Sequence, residues 1–239
     1  LFLALLGAAL WLACWLALPE SLPLHLRQVF HPGRLLRSYT VALGHPTFVL
    51  LCLALGFGGG GFLLYVATAP DVAINILGLT ETQFGWLFGP IVLGLIVGSA
   101  LSGRLAGRIP PVRLVRWGFT LMAAGAGLNA ISNLLLPHRV WWALPPLCTY
   151  TLGFALMAPV VTIQSLDLFP RNRGLASSLQ GFVQTLIFAL ISGLAAPVVY
   201  RSGIRHAAGL LVMMALSWLA YRSSRRLVGA AVSRPTRSE

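Results

Sequence analysis

The chain has 239 residues, 57% of them apolar and 9% charged, and its mean hydropathy is +0.84. Soluble domains hold about 45–50% apolar and about 25% charged residues, so an excess of this size, laid out in long runs, excludes a single water-soluble core. The 17 basic residues, all Arg, outweigh 5 acidic ones for a net +12; they sit in short connections between apolar runs, which speaks against nucleic acid as a partner, and the lack of Lys rules out a retinal-type Schiff base.

In chain order, runs of the length a spanning helix needs, ~20 residues, occur at about 1–18, 47–69, 83–103, 114–136, 142–166, 177–200 and 204–221. Lipid leaves no unpaired backbone satisfied and period-2 alternation is missing, so an all-α membrane protein of seven transmembrane helices is expected. The sequence opens on Leu1 inside an apolar run with no basic stretch before it, which predicts a start within a longer protein and not a signal peptide. Residues 19–46 carry Pro19, Pro23, Pro32, Gly33 and Pro46 with Arg27, Arg34 and Arg37, the chemistry of a linker. Asp71, Asn75 and Glu81 mark the next connection, and residues 222–239 form a polar tail.

Alternate connections hold 14 of the 17 Arg residues, and Arg139, Arg201 and Arg205 lie on the other side. The positive-inside rule places the Arg-rich connections, the linker and the C-terminus in the cytoplasm. Trp141 and Trp142 then mark the outer interface. An odd helix count implies one helix left over from a preceding half, 1–18, followed by a complete six-helix half, 47–221.

Small residues recur on the third run, with GxxxG spacing at Gly85/Gly89 and Gly94/Gly98, a pattern for close helix contact. The next connection reads Gly103-Arg104-Leu105-Ala106-Gly107-Arg108-Ile109-Pro110-Pro111-Val112-Arg113. A third stretch runs Asp167-Leu168-Phe169-Pro170, then Gly174, Ala176-Ser177-Ser178-Leu179 and Gly181. Pro170 and Gly174 make it a tight turn, Ser177 and Ser178 are placed to cap the following helix, and Gly181 allows close packing. Polar residues pair along helix faces as Asn129/Asn133 and Gln180/Gln184, the second pair extended by Phe188. Tyr150, Phe154 and Met157 form a stripe; Phe57 and Tyr65 lie two turns apart beside the glycine run 58–61. Such faces serve packing or line a pocket for drug-sized amphiphiles and organic cations.

Three of these stretches carry a resemblance. The connection at 103–113 resembles the cytoplasmic G-x-L-A-D-R-x-G-R motif of the major facilitator superfamily, with Gly107 in place of the Asp. The pattern D-x-F-P-x-x-x-G-x-A-S-S-L-x-G at 167–181 resembles the Bcr/CflA drug-resistance subfamily, as does Leu18-Pro19-Glu20-Ser21-Leu22-Pro23 at the start of the linker. Ala69-Pro70, Gly78-Leu79 and Phe84-Gly85 agree in order. The resemblance implies proton-coupled efflux of small molecules across a bacterial inner membrane by two six-helix halves rocking about a midplane site. Partners would be the substrate, protons, lipid and an N-terminal half mostly missing here, which in the family carries the coupling acid. It implies a cavity wall from Phe57, Tyr65, Tyr150, Phe154, Met157, Gln184 and Phe188, with the runs at 114–136 and 204–221 peripheral. A cytoplasmic gate would form from Arg104, Arg108 and Asp167, the acid pairing with one of the two guanidiniums.

Enzyme motifs such as HExxH, G-x-S-x-G and the P-loop are missing, and no cofactor is expected. His25, His31, His45, His138 and His206 fall in connections or at helix ends without metal spacing, and Cys14, Cys52 and Cys148 lack disulfide or metal patterning. A facilitator-type importer of a metabolite, or a seven-helix membrane protein without transport activity, are the alternative readings.

Overall fold

The computed structural model describes residues 2–18, 32–71, 85–135, 140–199 and 202–232, and the described segments are helices and turns. In order they are α1 (Phe2–Ala17), α2 (Pro32–Leu43), α3 (Pro46–Asp71), α4 (Gly85–Leu105), α5 (Pro111–Leu135), α6 (Val140–Leu166), α7 (Arg173–Leu190), a π-helical turn (Ile191–Ala195), α8 (Ala196–Val199) and α9 (Gly203–Val232). The connection with Asn75 and Glu81, and the Arg residues at 139, 201, 234 and 237, lie outside the described residues. The chain divides into two compact units, residues 1–37 and 38–239.

In the first unit, α1 is apolar and 16 residues long with no buried residue. Trp11 and Trp15 stack along it with centroids 6.2 Å apart. Among the described residues six helices are long and apolar enough to span, and α1 is a shorter apolar helix at the start of the given sequence.

The helix boundaries follow local chemistry. Pro32, Pro46 and Pro111 each take the first position of a helix, where a missing N–H costs nothing. Much of the stretch expected as linker is therefore the helix α2, and α9 continues through Val232, past the point where a polar tail was expected. Four residues after Gly103 the α4–α5 turn reaches Gly107, whose φ of 77° is the left-handed conformation that a Cβ disfavours. This local geometry suits Gly better than the Asp of the related motif. In the second half of the span Arg173–Val199, Pro197 cannot donate backward, and the helix passes through the π turn before it, with the Ala196 N–H donating to Ile191 O. Insertions of this kind absorb a break in the helical ladder.

Packing in the second unit centres on α3 and α6. Helix α3 is the most buried of the spans, and its glycine run meets three neighbours. A Cβ at Gly58 would lie 3.1 Å from Phe154 and 3.1 Å from Ser217 Oγ, one at Gly61 would collide with the Tyr150 ring, and one at Gly60 would run into Ile191. Helix α6 meets its neighbours backbone to backbone. Gly94 and Gly98 of α4 abut the carbonyls of Cys148 and Leu152, and Gly118 and Gly125 of α5 abut those of Gly153 and Pro146. The spacing at Gly94/Gly98 is thus a contact, while Gly89 and Gly181 face open space and do not support the close packing expected of them. Hydroxyls tie the same interfaces: Tyr150 Oη donates to Gly58 O at 3.0 Å, Ser217 Oγ to Ala54 O at 2.7 Å and Thr151 Oγ1 to Ile91 O at 3.1 Å. Each such bond contributes on the order of 0.6 kcal/mol in a bilayer.

A matched pair of substitutions on α5 checks this packing. Gly125→Ala forces a methyl against the backbone at Pro146 and Tyr150, 2.6 Å away, and is expected to destabilise by about 1–3 kcal/mol. Gly127→Ala, in open space, should be neutral or gain up to ~1 kcal/mol from helix propensity. Thermal melts of the detergent-solubilised protein read both, and equal melting points would refute the backbone contact.

Candidate substrate-facing site

The residues expected to line a cavity divide into two groups. Tyr65 is 2% exposed, and Tyr150 and Met157 are 0% exposed; all three belong to the main core cluster. In this conformation all three are packed within the bundle and offer no exposed surface to a solute. The reason is the glycine run: the space above Gly61 takes the Tyr150 ring, and Met157 fills the gap over Gly58 and Gly118.

Phe57, Phe154, Gln184 and Phe188 remain half-exposed. The rings of Phe188 and Phe154 converge on Gly59, reaching 3.0 and 3.1 Å from the point its Cβ would occupy. Phe57 lines an apolar hollow of about 360 Å³ between α3 and α7 with Leu53, Val183, Ile187 and Ile191. The π turn forms one end of that hollow through Ile191, Leu194 and Ala195. Gln184 precedes Phe188 by one turn of α7. The structure thus brings together two rings, a third aromatic nearby and one amide on an otherwise apolar surface.

At the opposite end, Asp167 pairs with Arg173 at 2.5 Å, both side chains more than half exposed. It does not pair with Arg104 or Arg108, as had been expected; those two guanidiniums lie exposed at the α4–α5 turn, while Arg173 opens α7 only six residues beyond the acid. Ser177 and Ser178 do not cap α7, because the helix begins earlier, with Asn172 at its N-cap; Ser178 instead donates back to Leu175 O. The turn is held by Phe169, whose ring sits edge-on to Phe48 and His45 at 5.3 and 5.7 Å, and by Ala176 and Leu179, buried against α2 and α3.

The contacts of two polar residues named in the sequence emerge only from the structure. Gln180, 9% exposed, accepts from Ser165 Oγ at 2.5 Å and donates to Thr162 Oγ1 at 3.3 Å, tying α7 to α6. Its signal was present in the three-residue spacing of Thr162 and Ser165, which puts both on one helix face. His206, expected at a helix end, lies in the second turn of α9 and is 6% exposed, its ring edge-on to Tyr65 at 5.6 Å. Its four-residue spacing from Leu210, itself fully buried, marks the inward face. Asn129 and Asn133, expected to share a face, do so and bond to each other, Asn133 Nδ2 donating to Asn129 O at 2.8 Å.

Residues 1–193 match the family model described as Major Facilitator Superfamily. The chain belongs to that superfamily. It is therefore an integral membrane protein from a family of transporters. Its curated relatives include the multidrug transporter MdfA of Yersinia pestis bv. Antiqua (strain Angola), 29% identical over 187 residues that make up 78% of this chain and 46% of that protein. The multidrug transporter MdfA of Edwardsiella ictaluri (strain 93-146) is 30% identical over 189 residues, again 78% of this chain and 46% of the relative. The chain spans about half the length of the curated relatives it matches.

The buried amide and the exposed ion pair differ in weight. Gln180→Ala removes the tie between α7 and α6, leaving Ser165 its bond to Thr162 O, and should cost about 1–2 kcal/mol. Asp167→Asn removes a solvent-screened pair and should cost ~0–1 kcal/mol. Melting of the two variants side by side checks the order, and a larger loss from Asp167→Asn would reverse it.

Proposed function

We propose that this chain supplies the second half, with one preceding helix, of a Bcr/CflA-type exporter that moves amphipathic drugs out across the bacterial inner membrane in exchange for protons. The observation that carries the reading is the convergence of the half-exposed Phe154 and Phe188 rings over Gly59. Two aromatic faces beside one amide, on an apolar surface, suit a flat or cationic amphiphile better than a sugar, which needs many hydrogen-bonding partners. The name shared by the relatives, multidrug transporter, agrees with that chemistry. In this reading the two halves rock about the site, and Phe57, Phe154, Gln184 and Phe188 form this half's wall. Arg104 and Arg108 close the cytoplasmic end against the other half, and the Arg-rich side with the C-terminus faces the cytoplasm.

Replacing Phe154 or Phe188 by Ala in the complete transporter should lower efflux of an organic cation such as ethidium about five- to tenfold, the loss of one cation–π contact. The measurement is ethidium efflux and resistance at matched membrane expression. Unchanged efflux in both variants would remove the pair from the substrate path.

The coupling acid is assigned to the other half, since no Asp or Glu side chain is buried among the described residues. Residues 1–239 expressed alone should give no efflux that collapses with the proton gradient. His206→Asn in the complete transporter should keep its proton dependence. A His206→Asn protein that binds drug but no longer couples would move the coupling site into this half.

A further inference from the structure

A groove of about 590 Å³ runs between α5 and α9, away from the aromatic wall. Its two sides are built from regular helical spacings. Arg116, Phe119, Thr120 and Ala123 lie on one face of α5, and Trp218, Arg222 and Arg225 on one face of α9, at i, i+3, i+4 and i+7 positions. Arg116 is near the start of α5 and Arg222 and Arg225 are near the end of α9, so three guanidiniums gather at one end of the groove. Towards the other end the lining is apolar, with Ala123, Met214 and Ala215. The Phe119 and Tyr221 rings pack together below it, with centroids 5.5 Å apart.

Among the described residues these three guanidiniums have no ion-pair partner. Asp167, the one acidic side chain described, is taken by Arg173. Arg222 lies over the Trp218 ring at 4.9 Å, a contact that does not neutralise its charge. The whole chain holds 5 acids against 17 Arg residues, and the segment 233–239 adds Arg234 and Arg237 to its single Glu239. Among the described residues no acidic side chain supplies the complementary anion. At the edge of two spanning helices, with an interfacial Trp beside it, the anion within reach is a lipid phosphate, and the apolar length of the groove matches an acyl chain.

We infer that the α5–α9 groove binds an anionic phospholipid, its headgroup phosphate held by Arg116, Arg222 and Arg225 and one acyl chain lying along Phe119, Ala123 and Met214. The site requires only insertion in a bilayer, so it stands apart from the export reading. A bound lipid here would clamp the first residues of α5 to the last turns of α9, two helices that otherwise share few polar contacts among the described residues.

The test uses the complete transporter, purified in mild detergent from native membranes and examined by native mass spectrometry and lipid extraction. Wild type is expected to retain phosphatidylglycerol or cardiolipin. The variant R116Q/R222Q/R225Q should lose about tenfold or more of that retention, given the attraction of each basic residue to anionic lipid. R113Q/R171Q/R226Q removes the same charge outside the groove and should retain lipid as wild type does. Ala123→Trp fills the apolar length while keeping every Arg, and should also lose the lipid. In thermal melts, phosphatidylglycerol should stabilise wild type where phosphatidylcholine and inorganic phosphate do not. Equal retention in the groove variants and wild type, equal loss in the control triple, or stabilisation by inorganic phosphate alone would each overturn the assignment. If the Arg triple does not fold, Ala123→Trp decides the question: retention at the wild-type level overturns it.

Discussion

Close approach of helix backbones is the constraint on which the rest of this structure depends. Lipid tails are as apolar as Leu side chains, so helices in a bilayer gain little from hiding apolar surface from one another. They must gain from contact, and contact is closest where side chains are smallest. Gly94, Gly98, Gly118, Gly125 and Gly153 bring α4 and α5 onto α6 with carbonyls against Cα atoms. Gly58 to Gly61 do something different on α3: they open space into which large side chains from α6, α7 and α9 are drawn. The result is one central pair of helices with the others arranged around it.

That arrangement decides which aromatic residues are structural and which remain available. Tyr150 enters the space over Gly61 and is fixed by its bond to Gly58 O; one turn further along α6, Phe154 comes to Gly59 at the edge of the contact and keeps part of its ring exposed. The glycine run thus forms a floor beneath two partly exposed rings, the surface on which the proposed function rests. The π turn at Ile191–Ala195 borders the neighbouring hollow, and turns of this kind are frequent at functional sites.

Polar groups in the bundle follow a consistent logic. Those that tie helices together are neutral and satisfied, as with Gln180, Ser165 and Thr162, because an unsatisfied group in hydrocarbon is expensive. The charges are held at the membrane edges, where water, a local partner such as Arg173 for Asp167, or a lipid phosphate at the α5–α9 groove can meet them. His206 is the exception in kind, a titratable ring set inside the first turns of α9 against Tyr65.

Much of this was legible in the residues alone. Run length and hydropathy placed five of the six long helices to within a few residues at each end and the start of α9, because lipid permits little else. The motifs at 103–113 and 167–181 pointed to the superfamily that the family match shows. Helical period also showed which residues share a face. It did not show which neighbour that face meets. Gly85/Gly89 and Gly94/Gly98 read alike in sequence, yet Gly94 and Gly98 press on α6 while Gly89 faces open space. Tyr150, Phe154 and Met157 form one stripe, but only Phe154 is left half-exposed. Asp167 found its cation six residues away and not on α4. Each of these outcomes turns on a few ångströms of interhelical distance, and that distance is set by the sum of side-chain volumes from several helices at once, which tertiary packing alone decides.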